Sequence, residues 1–303
     1  MTANNNKAAR SYQPQFKELL EAVFANRAYF GDFFRGGIEA LDGVQHNENA
    51  FYVKTSDIPV VVGNYDTSEN VAFEDGTANS TRFGPRKEII YTDTPVPYTW
   101  DWAYHEGIDR HTVNNDLNEA IADRLDLQAQ AKVNEFNAHH GAFISENAGE
   151  TIDGGDVVKV FNELSAHFIN VQAIGTKVAK VTPEVYNLIM DNPLTTTAKS
   201  SRTDIDRGEV PMFKGFEIDV LPETLFEEGD SIYAYVVGVA KAFTGINTVR
   251  TIESEDFDGV ALQGAGKAGE FILEDNKKAV VKVTGEVTGG NNENNNDGGG
   301  VEG

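Results

Sequence analysis

The sequence predicts an α+β fold arranged along one long helix, and three observations carry that expectation. From Asp109 to His140 the chain runs without Gly or Pro, and Ala, Leu, Gln, Glu and Lys keep helix propensity high through it. Immediately before it, Tyr98, Trp100, Trp102 and Tyr104 share one face of an alternating strand, with Thr99, Asp101, Ala103 and His105 on the other. Downstream, short helical and strand patterns follow one another until the chain becomes dominated by Gly, Asn and acid after Gly285.

The helix can be capped by Thr112 or Asn114, has Asp116 near the positive end of its dipole, and is expected to stop at Gly141, giving a spine of about 112–140. Val113, Leu117, Ile121, Leu125, Ala129 and Val133 form an apolar row, and Leu127, Ala131 and Phe136 fill a second flank. A strict four-residue step advances about 40° per repeat on a helix of 3.6 residues per turn. The row therefore winds around the rod and faces different partners along its length. The aromatic strand feeds straight into this helix, so the two should pack as one unit.

Composition narrows the function. A chain of 303 residues can bury a sizeable core, as one large domain or two of ordinary size. No run approaches the roughly 20 apolar residues of a membrane span. The start, Met-Thr-Ala-Asn-Asn-Asn-Lys, lacks the charged and apolar parts of a signal peptide. Having no Cys removes disulfides, thiolate metal sites and a Cys nucleophile, and fits an intracellular folding site. A net charge of −23 argues against direct nucleic-acid binding, because phosphate contacts need Lys and Arg that displace counterions. Two readings of the acid excess stand: a soluble surface, or a surface that lies beside DNA without adhering to it.

Taken in order, residues 1–13 read as a mobile polar arm, and Pro14–Phe24 as a short helix with Phe16, Leu19, Leu20 and Val23 on one face. Tyr29, Phe30, Phe33 and Phe34 stand beside a Gly break; local core packing and docking on a neighbouring subunit are both open. Phe51 and Val53 alternate with polar residues. Residues 56–95 read as a long two-stranded excursion, with strands at Ile58–Val62 and Arg86–Tyr91 and a polar tip whose large apolar residues are Val71 and Phe73. An isolated hairpin is marginal in water, so the ribbon either rests on a partner or is a disordered loop. A helix follows Gly154-Gly155 through Phe168, a strand covers Lys177–Val181, and a helix opens at Thr182-Pro183. A polar loop runs from Asn192 to Val210. Phe216, Ile218 and Val220 make a half-exposed strand, and Ile232–Val239 a strand buried on both faces. Phe271–Leu273 and Val280–Val283 read as a closing hairpin. The segment after Gly285 has no means of forming a core.

Chemistry-bearing motifs are few. Gly264-Ala-Gly266-Lys-Ala-Gly269 spells G-x-G-x-x-G, but the dinucleotide fingerprint needs a strand before it and a helix after it. A strand follows, so it reads as a loop. Glu135 and His139 have a chelating spacing without further ligands, and His139-His140 at a helix end more often complements the dipole. Glu253, Glu255, Asp256 and Asp258 make an acidic turn without the twelve-residue calcium pattern. Asn79-Ser80-Thr81 is a glycosylation sequon by letters only. No catalytic, cofactor-binding or metal-binding constellation emerges, and no enzyme activity is expected.

Several segments do carry a likeness. Gly107-Ile108-Asp109-Arg110-His111-Thr112-Val113-Asn114-Asn115-Asp116-Leu117, Ala122-Asp123-Arg124-Leu125 and Gln128-Ala129-Gln130-Ala131-Lys132 are the most specific. Val181-Thr182-Pro183-Glu184-Val185-Tyr186, Gly208-Glu209-Val210 and Lys214-Gly215-Phe216 add to them. In these the chain resembles major capsid proteins of tailed bacteriophages, which share the Hong Kong 97 type fold. The resemblance spans roughly residues 10–285 and is strongest in the spine. It implies an N-terminal arm at 1–55, an extended loop at 56–97, a peripheral domain at 98–150 with 246–285, an axial domain at 151–245, and a flexible tail at 286–303.

The resemblance also implies a structural protein of the virion, assembled in the host cytoplasm into pentamers and hexamers of an icosahedral head around double-stranded DNA that it encloses without specific binding. Implied partners are a separate scaffolding protein, a portal and a decoration protein, with no membrane and no cofactor. The residues expected to matter for packing and assembly are Tyr98, Trp100, Trp102, Tyr104, Leu117, Ile121, Leu125, Phe136, Val71 and Phe73. Members that fuse a scaffolding region carry a long helical segment before the arm, whereas about 13 polar residues precede Pro14 here. Some members lock subunits through a Lys–Asn isopeptide bond; Lys54 and Lys87 flank the loop, and neither matches that motif. The rival readings are an encapsulin-like compartment, a surface or tail component, and an acid-pair hydrolase.

Overall fold

A computed structural model of the chain describes residues 27–40, 49–56, 58, 60–69, 71–73, 81–84, 86–113, 117–196 and 210–289. The expected arm and helix before residue 27, Asn114, Asp116, most of the 192–210 loop and residues 290–303 of the expected tail lie outside these residues. The tail expectation is corrected at its start, where residues 286–288 continue the last strand and Val287 is buried in the core. In chain order the elements are β1 (Phe34–Ala40), β2 (Asn49–Thr55), β3 (Thr92–Pro97), β4 (Trp100–Asp109), α1 (Arg110–Val113), α2 (Leu117–Glu146), β5 (Glu150–Asp156) and α3 (Val157–Asn170). They continue with β6 (Lys177–Val181), α4 (Pro183–Asp191), α5 (Pro193–Thr196), β7 (Met212–Phe213), β8 (Phe216–Val220), β9 (Asp230–Val236), β10 (Ala240–Glu253), β11 (Gly259–Ile272) and β12 (Val280–Thr288). Two compact units result, one of residues 44–98 and one of the remainder.

The larger unit holds two sheets. A six-stranded mixed sheet has the order β5-β12-β9-β6-β8-β7. Its central strand β9 is buried on both faces, as the apolar run over Ile232–Val239 predicts, and alternation divides the strand between two cores. Ile232, Ala234 and Val236 join Phe161, Leu164 and Phe168 of α3 and Val185 and Ile189 of α4. Tyr233 and Tyr235 point the other way and meet Ile144 of α2 with Phe30, Phe33 and Phe34. The aromatics near residue 30 therefore pack into their own chain; Phe33 lies edge-on to Tyr235 at 4.8 Å. Helix starts follow their sequence signals. The Asp156 carboxylate accepts from the amides of Val158 (2.7 Å) and Lys159 (3.0 Å), and Thr182 caps α4 with Pro183 in its first turn.

The second sheet has the order β1-β10-β11-β4. Its centre is the fourteen-residue pair β10 and β11, antiparallel to each other. This corrects the closing hairpin expected at 271–283: β11 and β12 belong to different sheets, separated by a 3-10 turn over Glu274–Ala279. It also corrects the loop expected at 264–269, which lies inside β11. The strand leaves no sequence mark there because Gly and Ala carry almost no strand propensity of their own.

The spine helix α2 has thirty residues and passes through Gly141. Gly141 is not its stop but a contact point inside it, where a Cβ would stand 2.3 Å from the Leu225 carbonyl oxygen. The helix entry also differs from expectation. Thr112 sits within α1 and donates to the Asp109 carbonyl (2.8 Å), while the Asp109 carboxylate accepts from the His111 amide (2.8 Å). At 192–210 a helical turn, α5, opens the stretch expected to be loop throughout.

In the unit of residues 44–98, β2 pairs antiparallel with β3. The ladder thus lies at the base of the excursion. Among the described residues, Ile58–Val62 and Arg86–Tyr91 form no strand, against the expectation. Further out, the Asp66 amide donates to the Arg82 carbonyl at 3.0 Å, and the Tyr65 and Phe83 rings meet edge-on at 5.1 Å.

Candidate functional site

Among the described residues, the surfaces considered are those that join elements or leave apolar groups exposed. The first is the seam between β4 and α2. Alternation along β4 is regular, with Trp100, Trp102, Tyr104 and Glu106 on one side and Asp101, Ala103, His105 and Gly107 exposed on the other. Register explains how so many rings fit one face. Tyr104 is opposite Gly264 and Trp102 opposite Gly266, and a Cβ on either glycine would stand within 2.6 Å of the facing ring. The two rings lie on a glycine floor and stack on each other at 5.6 Å. The G-x-G-x-x-G letters therefore have a packing cause, and the period of two between Gly264 and Gly266 was the signal that sequence reading passed over.

Across the seam, the Lys132 ammonium lies 3.9 Å from the Trp102 ring centroid, and burial pushes its pKa down. Trp100 meets Phe136 edge-on at 4.7 Å and stacks on His139 at 4.0 Å. Glu106 receives Gln128 at 2.5 Å and the Arg124 guanidinium through two of its nitrogens. The Arg124 hydrogen bond is the main cause holding the Glu106 carboxyl below its ordinary value.

One buried polar knot fastens the same seam to β11. Glu270 accepts from the Thr99 hydroxyl and the Trp100 indole N–H, both at 3.1 Å, and His140 Nδ1 stands 3.0 Å away, off the line of a hydrogen bond. Burial works against the charge on Glu270, but His140, Trp100 and Thr99 outweigh it and its carboxyl stays below the ordinary value. This corrects the dipole role expected for the histidine pair: both lie inside the helix, one stacked on a tryptophan and the other paired with a buried acid. No local signal marked Glu270, which is 130 positions from His140 in the chain.

Trp100, Trp102, Tyr104 and Phe136 are thus brought together, whereas Tyr98 ends the 44–98 unit and is half-buried. Leu117, Ile121 and Leu125 are half-buried and Leu127 is exposed, so the described residues leave much apolar area on the first turns of α2 uncovered. In the 44–98 unit Val71 is half-buried, and Phe73 is exposed with Arg82 6.0 Å from its ring. Val60 and Val62 are 88% and 90% exposed, and Ile89, Ile90 and Tyr91 are exposed as well. The acidic turn at the tip of β10 and β11 holds Arg110, which reaches Asp258 at 3.0 Å and Glu253 at 3.2 Å. It is a clasp on the helix entry. Among the described residues no three His, Cys, Asp or Glu side chains converge as a metal site would require.

No protein-family model and no curated protein matches the chain in sequence. Solved structures do match in fold. A structure from Mycobacterium phage Che8 superposes with a TM-score of 0.63 at 14% identity, covering 93% of this chain and 98% of that one. The asymmetric unit of the bacteriophage PhiM1 mature capsid gives 0.61 at 8% identity, covering 94% and 91%. The capsid of cyanophage P-SCSP1u gives 0.60 at 10% identity, covering 95% and 93%. At these identities the likeness shows fold: the chain shares the fold of these phage structures.

Proposed function

We propose that this chain, having the tailed-phage capsid fold along its length, is a major capsid subunit that assembles with copies of itself into the shell of a virion. The observation that carries the reading is coverage. The likeness takes in more than nine-tenths of this chain and of each chain it matches, two of them from phage capsids. The finer reading is that pentamers and hexamers close into an icosahedral head in the host cytoplasm around double-stranded DNA, with separate scaffolding, portal and decoration proteins as partners.

The surfaces fit that work. The exposed valines and aromatics of the 44–98 unit, Phe73 among them, and the half-buried row Leu117, Ile121 and Leu125 would be covered by neighbouring copies. Heterologous contacts that close on themselves make rings, and a segment passing over a neighbour ties ring to ring. In this reading the six-stranded sheet with α3 and α4 is the axial lobe and β4, β10, β11 and the spine helix form the peripheral lobe; β12, expected in the peripheral domain as part of 246–285, belongs instead with the axial lobe because it pairs with β9. Negative-stain microscopy of the purified protein, with light scattering, tests the proposal. Closed or curved shells, or rings of five and six that build them, are expected. A strictly monomeric species at every salt concentration, with scaffold supplied, would leave fold without function.

A further inference from the structure

An exposed apolar cluster stands at one end of the six-stranded sheet, on two adjoining turns. Where α3 ends, the Val171 amide donates to His167 and the Ala173 amide to Phe168, and Gln172 takes the left-handed φ of 55° that non-glycine residues seldom adopt. The turn leads through Ile174 into β6. Beside it β9 gives way to its own turn, and the Val237 amide donates to the Thr176 carbonyl at 3.0 Å. Ile169, Ile174 and Val237 are 65%, 94% and 43% exposed. Among the described residues, Ile174 is left almost wholly uncovered.

Charge says what covers it. The chain has 48 Asp and Glu among 303 residues, yet residues 164–183 and 231–252 contain none, and these two runs supply both turns. Acids that approach from other elements already have cations. Asp32, whose carbonyl accepts the Gly238 amide, accepts the Tyr235 hydroxyl at 2.9 Å and shares Lys180, at 3.2 Å, with Asp219 at 2.8 Å, and Asp219 has Arg27 at 3.7 Å as a second cation. Glu274 and Asp275, in the turn whose Asn276 donates to the Val239 carbonyl, take Lys277 at 2.8 Å and Lys278 at 3.1 Å. The cation of the turn itself, Lys177, lies 5.6 Å from the Phe168 ring. Two copies of a molecule with net charge −23 repel each other, and they do so least where no unpaired acid stands. An apolar patch free of unpaired acid is a surface that an acidic protein can present to itself.

We propose that this end, centred on Ile174, is a contact between copies of this chain, in which the turn 171–176 of one copy packs against the same end of the six-stranded lobe of the next around a ring. The inference rests on the capsid reading and names a surface for it. A ring repeats the contact at every step, so a small patch suffices.

The test uses Ile174→Asp, Ile174→Val and Ile174→Cys in the full chain, whose natural sequence has no cysteine. The Asp variant should keep the wild-type melting temperature as an unassembled subunit and lose assembly by about tenfold or more, while the Val variant assembles normally. The single thiol of the Ile174→Cys variant should react freely with a maleimide in separate subunits and about tenfold more slowly in rings or shells, a readout that needs no tolerance of a charge. Wild-type yield from the Asp variant, or equal reactivity of the introduced thiol in both states, overturns the contact and leaves the capsid reading intact. A wild-type chain that forms neither rings nor shells overturns the capsid reading, and this contact with it.

Discussion

Glu270 is the residue on which the seam depends. Its folded carboxyl lies below the ordinary value. The stabilisation is therefore fully present above the unfolded pKa of about 4.3 and is lost as pH falls through the folded value. Wild-type melting temperature should drop steeply below that pH, and Glu270→Gln should drop less steeply. Coincident slopes would mean that the carboxylate is not the anchor. At neutral pH, Glu270→Ala should cost about 1–3 kcal/mol, because it leaves the Trp100 and Thr99 donors without their acceptor. The rings of β4 were readable from alternation alone. Glu270 was not, since a lone acid in a Gly- and Ala-rich stretch has no local pattern, and only the crossing of three elements gives it a purpose.

At the scale of elements, the spine helix sets two effects against each other at Gly141. In a helix interior, Gly→Ala ordinarily gains about 1 kcal/mol. Here the new Cβ would stand 2.3 Å from the Leu225 carbonyl, which belongs to backbone and yields poorly, so Gly141→Ala should lose about 1–3 kcal/mol instead. A denaturation midpoint above wild type would show that the 222–226 turn moves aside. The excursion of the 44–98 unit has a separate expectation. Replacing residues 64–83 by a short Gly-Ser link spares β2 and β3, and should leave a folded subunit that makes no shells. Circular dichroism with microscopy checks both halves, and normal shells would refute the role given to this segment. The helix body was legible because thirty residues of high propensity reinforce one another. Its end was not, because a glycine reads as a stop unless the opposing backbone is known.

For the whole molecule, charge is the dominant property. With net charge −23, copies brought together repel over a range set by the Debye length, about 30 Å at 0.01 M salt and 10 Å at 0.1 M. Assembly yield at fixed protein concentration should rise with sodium chloride across that interval, and light scattering follows it directly. A flat yield would show that acids are paired or distant at the contacts. The acid-free turns around Ile174 sharpen this expectation, because a contact built there should be the least salt-dependent part of the shell.

The amino-acid sequence by itself determined the α+β class, the spine helix, the aromatic face of β4, the doubly buried β9 and the acid excess. Each of these is written in local periodicity or in composition, and neither needs a partner distant in the chain. Tertiary structure alone decided that β11 and β12 part into different sheets, that the glycines at 264 and 266 are a floor for rings, that Gly141 is a contact, and that His140 meets Glu270. Those outcomes depend on which backbone comes to lie opposite which side chain. Pairing between strands and the close approach of a helix to a turn are long-range choices, settled by the burial of the whole core and left unmarked by any single stretch.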